Sequence, residues 1–319
     1  MENLEELVQE WLTFRTISGG DVISNNTLKG YQRDMSVWIA LLAGEVVGHS
    51  PTIADLEPLA VGSALSRMQT ERQDSEATRR RAFITMRSFC HWLIQEGRLE
   101  VDPLQGRKPV KPPSKLPVGF EDDQMGRIIE AAQEVDPTDR SPAPLLDTAI
   151  VLLLSAAGLR ASEAAEMKLR NFTHGDAPRV RVVGKGAKDR TVPITEAVAD
   201  FLLEYLEWRA QTSEGKSDPS DPFLIKPDGK PLTRFVIDYR LKKVYARAGV
   251  PAPEGTVAHA LRHTYAISSL NGGASVNEIQ SLLGHEALST TGIYLKAGAA
   301  HLRQAATTSA AARHLGKRR

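Results

Sequence analysis

The hexapeptide HALRHT, residues 259–264, places an imidazole and a guanidinium three residues apart. In a helix this spacing puts His259 and Arg262 on one face, where both side chains can meet the same ligand. The pair suits a phosphodiester, because arginine donates two parallel hydrogen bonds to phosphate oxygens and histidine exchanges protons near neutral pH. The alternative is a core histidine beside a solvated arginine, and the neighbouring His263 is predicted to be structural.

Four other short stretches carry polar side chains in apolar surroundings. They are AAGLRASE (156–163), GKGAKDR (184–190), LLGH (282–285) and TGIYLK (291–296). Each contains a residue type that serves phosphoryl transfer: a guanidinium, an ammonium, an imidazole or a phenol. The candidate catalytic residues of the chain are therefore Arg160, Lys185, His259, Arg262, His285 and Tyr294.

Two arginines, Arg160 and Arg262, are predicted to clamp the phosphate. A phosphodiester gains negative charge as it becomes pentacoordinate, and fixed guanidinium groups stabilise that charge. Ser162 is predicted to cap the helix that follows Arg160, and Glu163 is close enough in sequence to orient its guanidinium. Since the sequence has neither an acidic cluster suited to magnesium nor a zinc-like spacing of His and Cys, we predict no metal and no cofactor.

The stretch RVRVVGKGAKDRTVPI (179–194) consists of two β-branched segments around a glycine-bearing turn, which predicts a β-hairpin. Lys185 in that turn is suited to protonate a leaving 5′ oxygen. Lys188 and Arg190 are predicted to contact backbone phosphates of DNA. The phenol of Tyr294 has the chemistry to attack phosphorus, and the imidazole of His285 can donate a hydrogen bond to the phosphate or the leaving group.

The five stretches, in this order, resemble the tyrosine recombinases, the family of phage-type integrases and Xer-type recombinases. That family has an arginine after a helix-ending glycine, a lysine in a β-hairpin, a His-x-x-Arg pair, a Gly-His step and a tyrosine nine residues later. Here 294 − 285 = 9. The resemblance extends over residues 2 to 300 and is most specific in the C-terminal half.

The resemblance implies a site-specific recombinase that breaks and rejoins DNA through a 3′-phosphotyrosine, in integration, excision or resolution. It also implies that Lys185, rather than Lys188, is the general acid. Because the phosphotyrosine conserves the energy of the broken bond, no nucleotide is required. Two alternatives stay open: a type IB topoisomerase-like enzyme that relaxes DNA, and a DNA-binding accessory protein without catalysis.

Composition agrees with a globular DNA enzyme without identifying one. The chain has 319 residues, enough for two domains, and a formal net charge of +1, so only local clusters of cations could bind DNA. The single cysteine excludes an internal disulfide framework and fits a reducing compartment, which predicts a cytoplasmic protein. The longest apolar run, 149–159, is too short for a membrane span.

The predicted fold is mainly α with a small β-hairpin or sheet. A helical, SAM-like core-binding domain over 1–102 precedes a basic, proline-rich linker over 103–120. A mixed α/β tyrosine-recombinase catalytic domain follows over 121–298, and the tail 299–319 is predicted to contact a neighbouring protomer. Since the helical pattern begins almost at Met1, we expect the extra arm-binding domain of larger phage integrases to be missing.

The predicted partner is double-stranded DNA with paired recombination half-sites. Arg79, Arg80 and Arg87, in the most regular helical stretch of the N-terminal half, are candidate phosphate contacts. A homotetramer on DNA, or a heterotetramer with a paralogue, is expected from the resemblance, with DNA-bending proteins as candidate accessory factors and no membrane involved. A phage, Xer-type or transposon role is left undecided.

Overall fold

The structure, a computed structural model, describes residues 2–17, 23–44, 50–111, 119–136, 143–184, 189–212, 217–253, 255 and 257–284. The chain forms two compact units, Met1–Ser114 and Lys115–Arg319. The border between them falls inside the segment 103–120 that was predicted as the linker. The predicted fold class is confirmed, since helices dominate both units and one small antiparallel sheet lies in the second.

Four helices build the N-terminal unit: α1 (Leu4–Ile17), α2 (Asn25–Ala43), α3 (Pro58–Thr70) and α4 (Glu76–Gln95). All four lie within residues 1–102, the range predicted as the helical domain. The N-cap of α2 is Ser24, whose hydroxyl accepts from the backbone N–H of Thr27.

The core of the N-terminal unit is aromatic. The predicted inner face of α4 is buried as expected and packs against α1 and α2. Trp11 and Trp38 are both 0% exposed, and the indole N–H of Trp38 donates to the carbonyl of Ala82 over 2.9 Å, which fixes α2 against α4. The helix α4 ends before Gly97, whose φ of +68° is readily adopted only by glycine.

The first part of the predicted linker belongs to this unit. Leu104 is only 2% exposed and lies in the aromatic core, while Arg107 donates to the carbonyl of Pro58 at the start of α3. The Arg80 guanidinium donates to the carbonyl of Val110. Proline and cation content predicted an extended linker from residue 103, but one buried leucine and these hydrogen bonds tie residues 103–111 to the helices.

Seven helices are described in the C-terminal unit. They are α5 (Asp122–Gln133), α6 (Pro144–Ser155), α7 (Ala161–Glu166), α8 (Glu196–Thr212), α9 (Arg234–Arg247), α10 (Val257–Asn271) and α11 (Val276–Leu283). The apolar helix α6 is central, since α5, α8, α9 and α10 all pack around it. Within the described ranges, none of the helices is both long and apolar enough to cross a membrane.

The sheet has three antiparallel strands in the order β1 (Phe172–Thr173), β2 (Arg179–Val182) and β3 (Arg190–Pro193). Strands β2 and β3 form the predicted hairpin, with Val180 opposite Val192 and Val182 opposite Arg190. The two-residue strand β1 was not predicted, because a segment so short has no alternating pattern. Alternate residues of β2 are buried, which turns the hairpin's inner face towards the helical core.

A buried ion pair fixes α9 on α6. Asp147, 5% exposed, accepts a hydrogen bond from the Nε of Arg240, and Arg247 lies 3.3 Å from its other oxygen. Burial raises the pKa of Asp147, and the two guanidinium groups counteract that effect. Arg240 therefore lies on the buried face of α9, whereas Arg234 on the same helix is exposed.

Candidate active site

The side chain of Arg262 lies at the centre of the site. It extends from α10 and is 3% exposed. Its Nη1 donates to the carbonyl of Gly158 over 2.5 Å, and its Nη2 donates to the carbonyl of Leu283 over 2.7 Å. The guanidinium thus joins three segments: α10, the turn between α6 and α7, and the end of α11. Such a group has its plane fixed before any ligand arrives.

Arg160 approaches the same place from the turn between α6 and α7. Gly158 permits this turn, because its φ is +61° and a Cβ there would lie 2.6 Å from the ring of Tyr265. The Arg160 side chain is 37% exposed, so unlike Arg262 it reaches solvent. Its Nη1 donates to Glu163 over 2.7 Å, so the predicted contact between these two residues is present.

The predicted cap of α7 was wrong. The helix begins at Ala161, so Ser162 lies inside its first turn rather than before it. Arg160 is the N-cap residue, and the carboxylate of Glu163, at the third helical position, accepts from the backbone N–H of Arg160 over 2.7 Å. This is the bond that the third-position carboxylate makes in a capping box, and it satisfies an otherwise unpaired N–H at the helix start.

Glu163 gathers three arginines, which we call the arginine cluster: Arg160, Arg190 and Arg262. Arg190 donates to both carboxylate oxygens over 3.0 and 2.7 Å, and the Nη1 of Arg262 lies 3.6 Å from one of them. Burial would raise the pKa of Glu163, but the hydrogen bonds from Arg190 and Arg160 lower it to about 2. The carboxylate is therefore ionised throughout the neutral range.

The placement of Arg190 differs from the prediction that it contacts DNA. Its side chain is 10% exposed, and both of its terminal nitrogens donate to Glu163. This geometry does not support a phosphate contact. Periodicity could not reveal the pairing, because the two residues are 27 positions apart in the sequence and meet only after β3 has packed beside α7.

His259 lies one turn before Arg262 on α10 and is exposed. Partial loss of hydration lowers the pKa of His259, and the charges of Arg262, Arg160 and Arg234 lower it further, against the opposing effect of Asp238. The imidazole is therefore mainly neutral at pH 7, the state in which it can accept a proton.

His259 and Arg160 line one cleft of about 660 Å³. Its other walls come from Ser162 on α7 and from one face of α9, which presents Arg234, Asp238 and Lys242 at intervals of four residues. The two α9 cations were missed in the sequence. Their i, i+4 spacing with Asp238 was visible, but only the packed structure brings that face to the cleft of His259 and Arg160.

Four predicted residues, Lys185, Lys188, His285 and Tyr294, lie outside the described residues, as does the tail 299–319. Chain connectivity still relates some of them to the arginine cluster. Lys185 and Lys188 belong to the connection between β2 and β3, and His285 directly follows Gly284 at the end of α11. Among the residues that the structure describes, no three His, Cys, Asp or Glu side chains are grouped to hold a metal ion.

The three candidate DNA contacts of the N-terminal unit all lie on α4. Arg79 donates to the side chain of Gln69, Arg80 donates to Val110, and the guanidinium of Arg87 lies 5.4 Å from the ring centre of Phe83. All three are half-buried, and their contact with DNA stays a prediction. The adjacent Arg81 has a structural partner, because it binds buried Asp34 with two nitrogens.

We expect Glu163→Gln to remove an acid-dependent part of the stability of the C-terminal unit. The pKa of Glu163 is about 2 in the folded chain against an ordinary value of 4.5. A lowered pKa stabilises the fold above pH 4.5, and that contribution is lost as pH falls through about 2. The difference amounts to about 3 kcal/mol at neutral pH.

Urea unfolding at pH 7, 5 and 3 measures this effect. The gap in unfolding free energy between wild type and Glu163→Gln should narrow as the pH falls below 4.5. Glu166→Gln is the matched control, since Glu166 lies on the same helix and is exposed. A gap that stays constant with pH would mean that the carboxylate is not held ionised by the arginine cluster.

The sequence matches the phage integrase family over residues 120–301 and the N-terminal SAM-like domain of phage integrases over residues 8–97. A tyrosine recombinase XerD of Ralstonia nicotianae is 31% identical over 284 residues, covering 89% of this chain and 87% of that protein. A tyrosine recombinase XerC of Rhodospirillum centenum is 34% identical over 284 residues, covering 88% of this chain and 80% of that protein.

Two solved structures share the fold. The XerH site-specific recombinase bound to a palindromic difH substrate superposes with a TM-score of 0.72 at 18% identity, covering 96% of this chain and 94% of that one. A lambda integrase (75–356) dimer bound to a COC′ core site gives a TM-score of 0.68 at 17% identity, covering 91% and 94%.

With the family match over more than half of its length, the chain belongs to the phage integrase family. Within that family it is a Xer-like tyrosine recombinase, an enzyme of site-specific DNA recombination. The resemblance seen in the five sequence stretches is thereby confirmed.

Proposed function

We propose that this recombinase cleaves and rejoins one DNA strand at a time, with the six candidate catalytic residues in the roles that their chemistry suits. The observation that carries the proposal is the arginine cluster around Glu163 beside the cleft of His259. Arg262, with its plane fixed by two carbonyls, and Arg160, held by Glu163, are arranged before substrate binds, which is how a site stabilises developing charge on a phosphate.

The cleavage step is a transesterification. The oxygen of Tyr294 bonds to phosphorus while the bond from phosphorus to the 5′ oxygen breaks. His259 accepts the phenol proton, Lys185 gives a proton to the leaving 5′ oxygen, and the products are a 3′-phosphotyrosine and a free 5′ hydroxyl. The reverse reaction with a 5′ hydroxyl of another strand completes strand exchange.

Arg160 and Arg262 divide the work on the phosphate. Arg160 is 37% exposed and lines the cleft, so it meets the substrate from the solvent side. Arg262 donates to two backbone carbonyls, which fix the orientation of its guanidinium towards the phosphate. His285 is proposed to donate a hydrogen bond to a phosphate oxygen or the leaving group. Arg234 and Lys242 extend the positive wall along α9 for the flanking backbone.

The proposed substrate is double-stranded DNA with paired half-sites, bound by a homotetramer or by a heterotetramer with a paralogue. The N-terminal unit would contact the backbone through Arg79, Arg80 and Arg87, and the tail 299–319 would contact a neighbouring protomer. DNA-bending proteins are candidate accessory factors. We propose the cytoplasm as the compartment, because DNA is present there and the chain has one cysteine, which is buried and unpaired.

Formation of a covalent complex with DNA tests the proposal. Sites are first selected from fragmented genomic DNA by binding to the full chain. Duplexes with a selected site then receive a nick at successive positions, so that cleavage beside the nick releases a short oligonucleotide and prevents rejoining. Wild type should give a protein–DNA band on a denaturing gel that disappears after protease digestion.

We expect EDTA at about 10 mM to leave the covalent band unchanged, because guanidinium groups rather than a metal ion stabilise the transition-state charge. The same gel, run with and without the chelator and with added magnesium, measures this. A selected site that yields no covalent band at any nick position would overturn the proposed function. Loss of the band with EDTA alone would overturn its metal-free chemistry.

A further inference from the structure

Arg190 is the first residue of β3 and belongs to the arginine cluster, but it is not among the residues that line the cleft. Its Nη1 and Nη2 donate to the two oxygens of Glu163 over 3.0 and 2.7 Å, a fork-to-carboxylate geometry. Both side chains are 10% exposed, so water competes little with the pair. The pairing is strong because it is bidentate and largely withdrawn from solvent.

The partner of Arg190 is also the partner of Arg160. Glu163 receives the Arg160 side chain on the oxygen that also accepts from the Nη1 of Arg190, and its other oxygen lies 3.6 Å from Arg262. If Arg190 is removed, the carboxylate keeps its burial but loses a bidentate partner. Its orientation and its ionisation then depend on Arg160 and Arg262 alone, so we expect both arginines to shift.

Arg190 also touches the end of α11. A Cβ on Gly284 would lie 3.3 Å from its Nη1 and 3.4 Å from its Cδ, so glycine allows this close approach, and φ there is +64°. The preceding carbonyl, that of Leu283, accepts from Arg262. Leu283 and Gly284, the two residues before His285, therefore each contact a member of the arginine cluster.

The third connection of Arg190 is through the hairpin. Arg190 pairs with Val182 in the register of β2 and β3, at the base of the connection that contains Lys185. The bond to Glu163 consequently ties this base to α7. The start of α7 and the end of α11, which adjoin the candidate catalytic residues Arg160 and His285, therefore meet at the guanidinium carried by the first residue of β3.

We propose that Arg190 is a positioning residue of the recombination reaction. Through Glu163 it holds Arg160, and by its own contacts it sets the hairpin base before Lys185 and the helix end before His285. It does so without touching the phosphate. This inference rests on the proposed function, since positioning has meaning only if the cluster acts on a phosphodiester.

A neighbouring ion pair offers a matched control. Arg181 on β2 binds Asp189 with two nitrogens in the same hairpin, but its side chain is 61% exposed and its partner is not in the arginine cluster. An exposed pair of this kind contributes little to stability. Arg181→Gln therefore removes an arginine–carboxylate pair from the hairpin without disturbing Glu163.

The test compares wild type, Arg190→Gln, Arg190→Lys and Arg181→Gln on the nicked duplex, in single-turnover reactions between pH 4 and 9. Binding is followed separately by gel mobility shift. Arg190→Gln should form the covalent product on the order of 100-fold more slowly, with DNA affinity within about twofold of wild type. Arg181→Gln should match wild type in both.

The pH profile separates positioning from a structural role. Glu163 is faced by Arg160 from α7, Arg190 from β3 and Arg262 from α10. Losing one of these charges raises the pKa of the carboxyl from about 2, so Arg190→Gln should lose additional cleavage rate towards the acid end of the profile, where wild type keeps this carboxylate ionised. Arg190→Lys keeps the charge without the fork, so it should remove this additional acid-side loss while restoring only part of the rate.

Three results would overturn the inference: an unchanged cleavage rate in Arg190→Gln, an equal loss of binding and cleavage, or a rate loss that has no additional acid-side part and is not partly restored in Arg190→Lys. If Arg190→Gln fails to fold, Arg190→Lys together with Glu163→Gln makes the same comparison, because a shared role predicts that the double variant is no slower than Glu163→Gln alone. Absence of a covalent band in wild type would instead overturn the proposed function.

Discussion

Tyr294→Phe abolishes the covalent protein–DNA product while leaving DNA binding unchanged. The substitution removes only the phenolic oxygen, which is the atom proposed to bond to phosphorus, so no partial activity through the same route remains. The expected loss is complete within detection on the nicked duplex. Mobility shift should give an affinity within about twofold of wild type, since one hydroxyl adds little to a contact dominated by phosphates.

Tyr265→Phe is the matched control for this experiment. Tyr265 is half-buried in α10, and its ring packs beside Gly158, a contact that phenylalanine keeps. It should form the covalent band at the wild-type rate. A band that persists in Tyr294→Phe would place the nucleophile on another side chain, whereas mapping of the phosphorylated peptide to the segment around residue 294 in wild type would support the proposal directly.

Arg160→Lys and Arg262→Lys should both slow cleavage by about 10²–10³-fold, but they should differ in stability. Lysine keeps the charge and loses the planar fork, so each variant forfeits paired hydrogen bonds to the transition state. The Arg160 side chain is 37% exposed, and its loss should change the free energy of unfolding by less than about 1 kcal/mol. Arg262 is 3% exposed and serves two buried carbonyls.

Arg262→Lys leaves at least one of the carbonyls of Gly158 and Leu283 without its donor. An unsatisfied buried group costs roughly 1–3 kcal/mol, which lowers the melting temperature of a unit of this size by about 2–4 °C per kcal/mol. Thermal unfolding and single-turnover cleavage of both variants measure the two effects. Arg170→Lys, at an exposed position, is the control. Wild-type cleavage by Arg160→Lys would exclude Arg160 as a phosphate clamp.

Helix positions were predictable because the patterns that specify them are local. The buried face of α4, with Phe83, Met86 and Phe89, follows from spacings of three and four residues that any helix places on one side. The hairpin of β2 and β3 follows from β-branched segments around glycines. The side-by-side placement of His259 and Arg262 on α10 is local in the same sense, since three residues separate them.

Boundaries and caps were less predictable, because they depend on single hydrogen bonds. Ser162 was predicted to cap α7, but the helix begins one residue before it, and Glu163 binds the backbone N–H of Arg160. A shift of one or two residues in the helix start changes which side chain reaches which N–H group, and the packing of the preceding turn sets that start. Leu104 belongs to the N-terminal core although its neighbours predicted a linker, because the burial of a single apolar side chain leaves no periodic pattern in the sequence.

The sequence by itself determined the helices and the hairpin around the candidate catalytic residues, because the patterns that specify these elements involve residues close together in the chain. Only the tertiary structure decided that Arg190 pairs with Glu163, that Arg262 donates to the carbonyls of Gly158 and Leu283, and that α9 adds cations to the cleft. Pairs 21, 27 and 104 positions apart make these contacts. The physical reason is that burial sets the strength of a charge pair, and burial exists only after distant segments have packed.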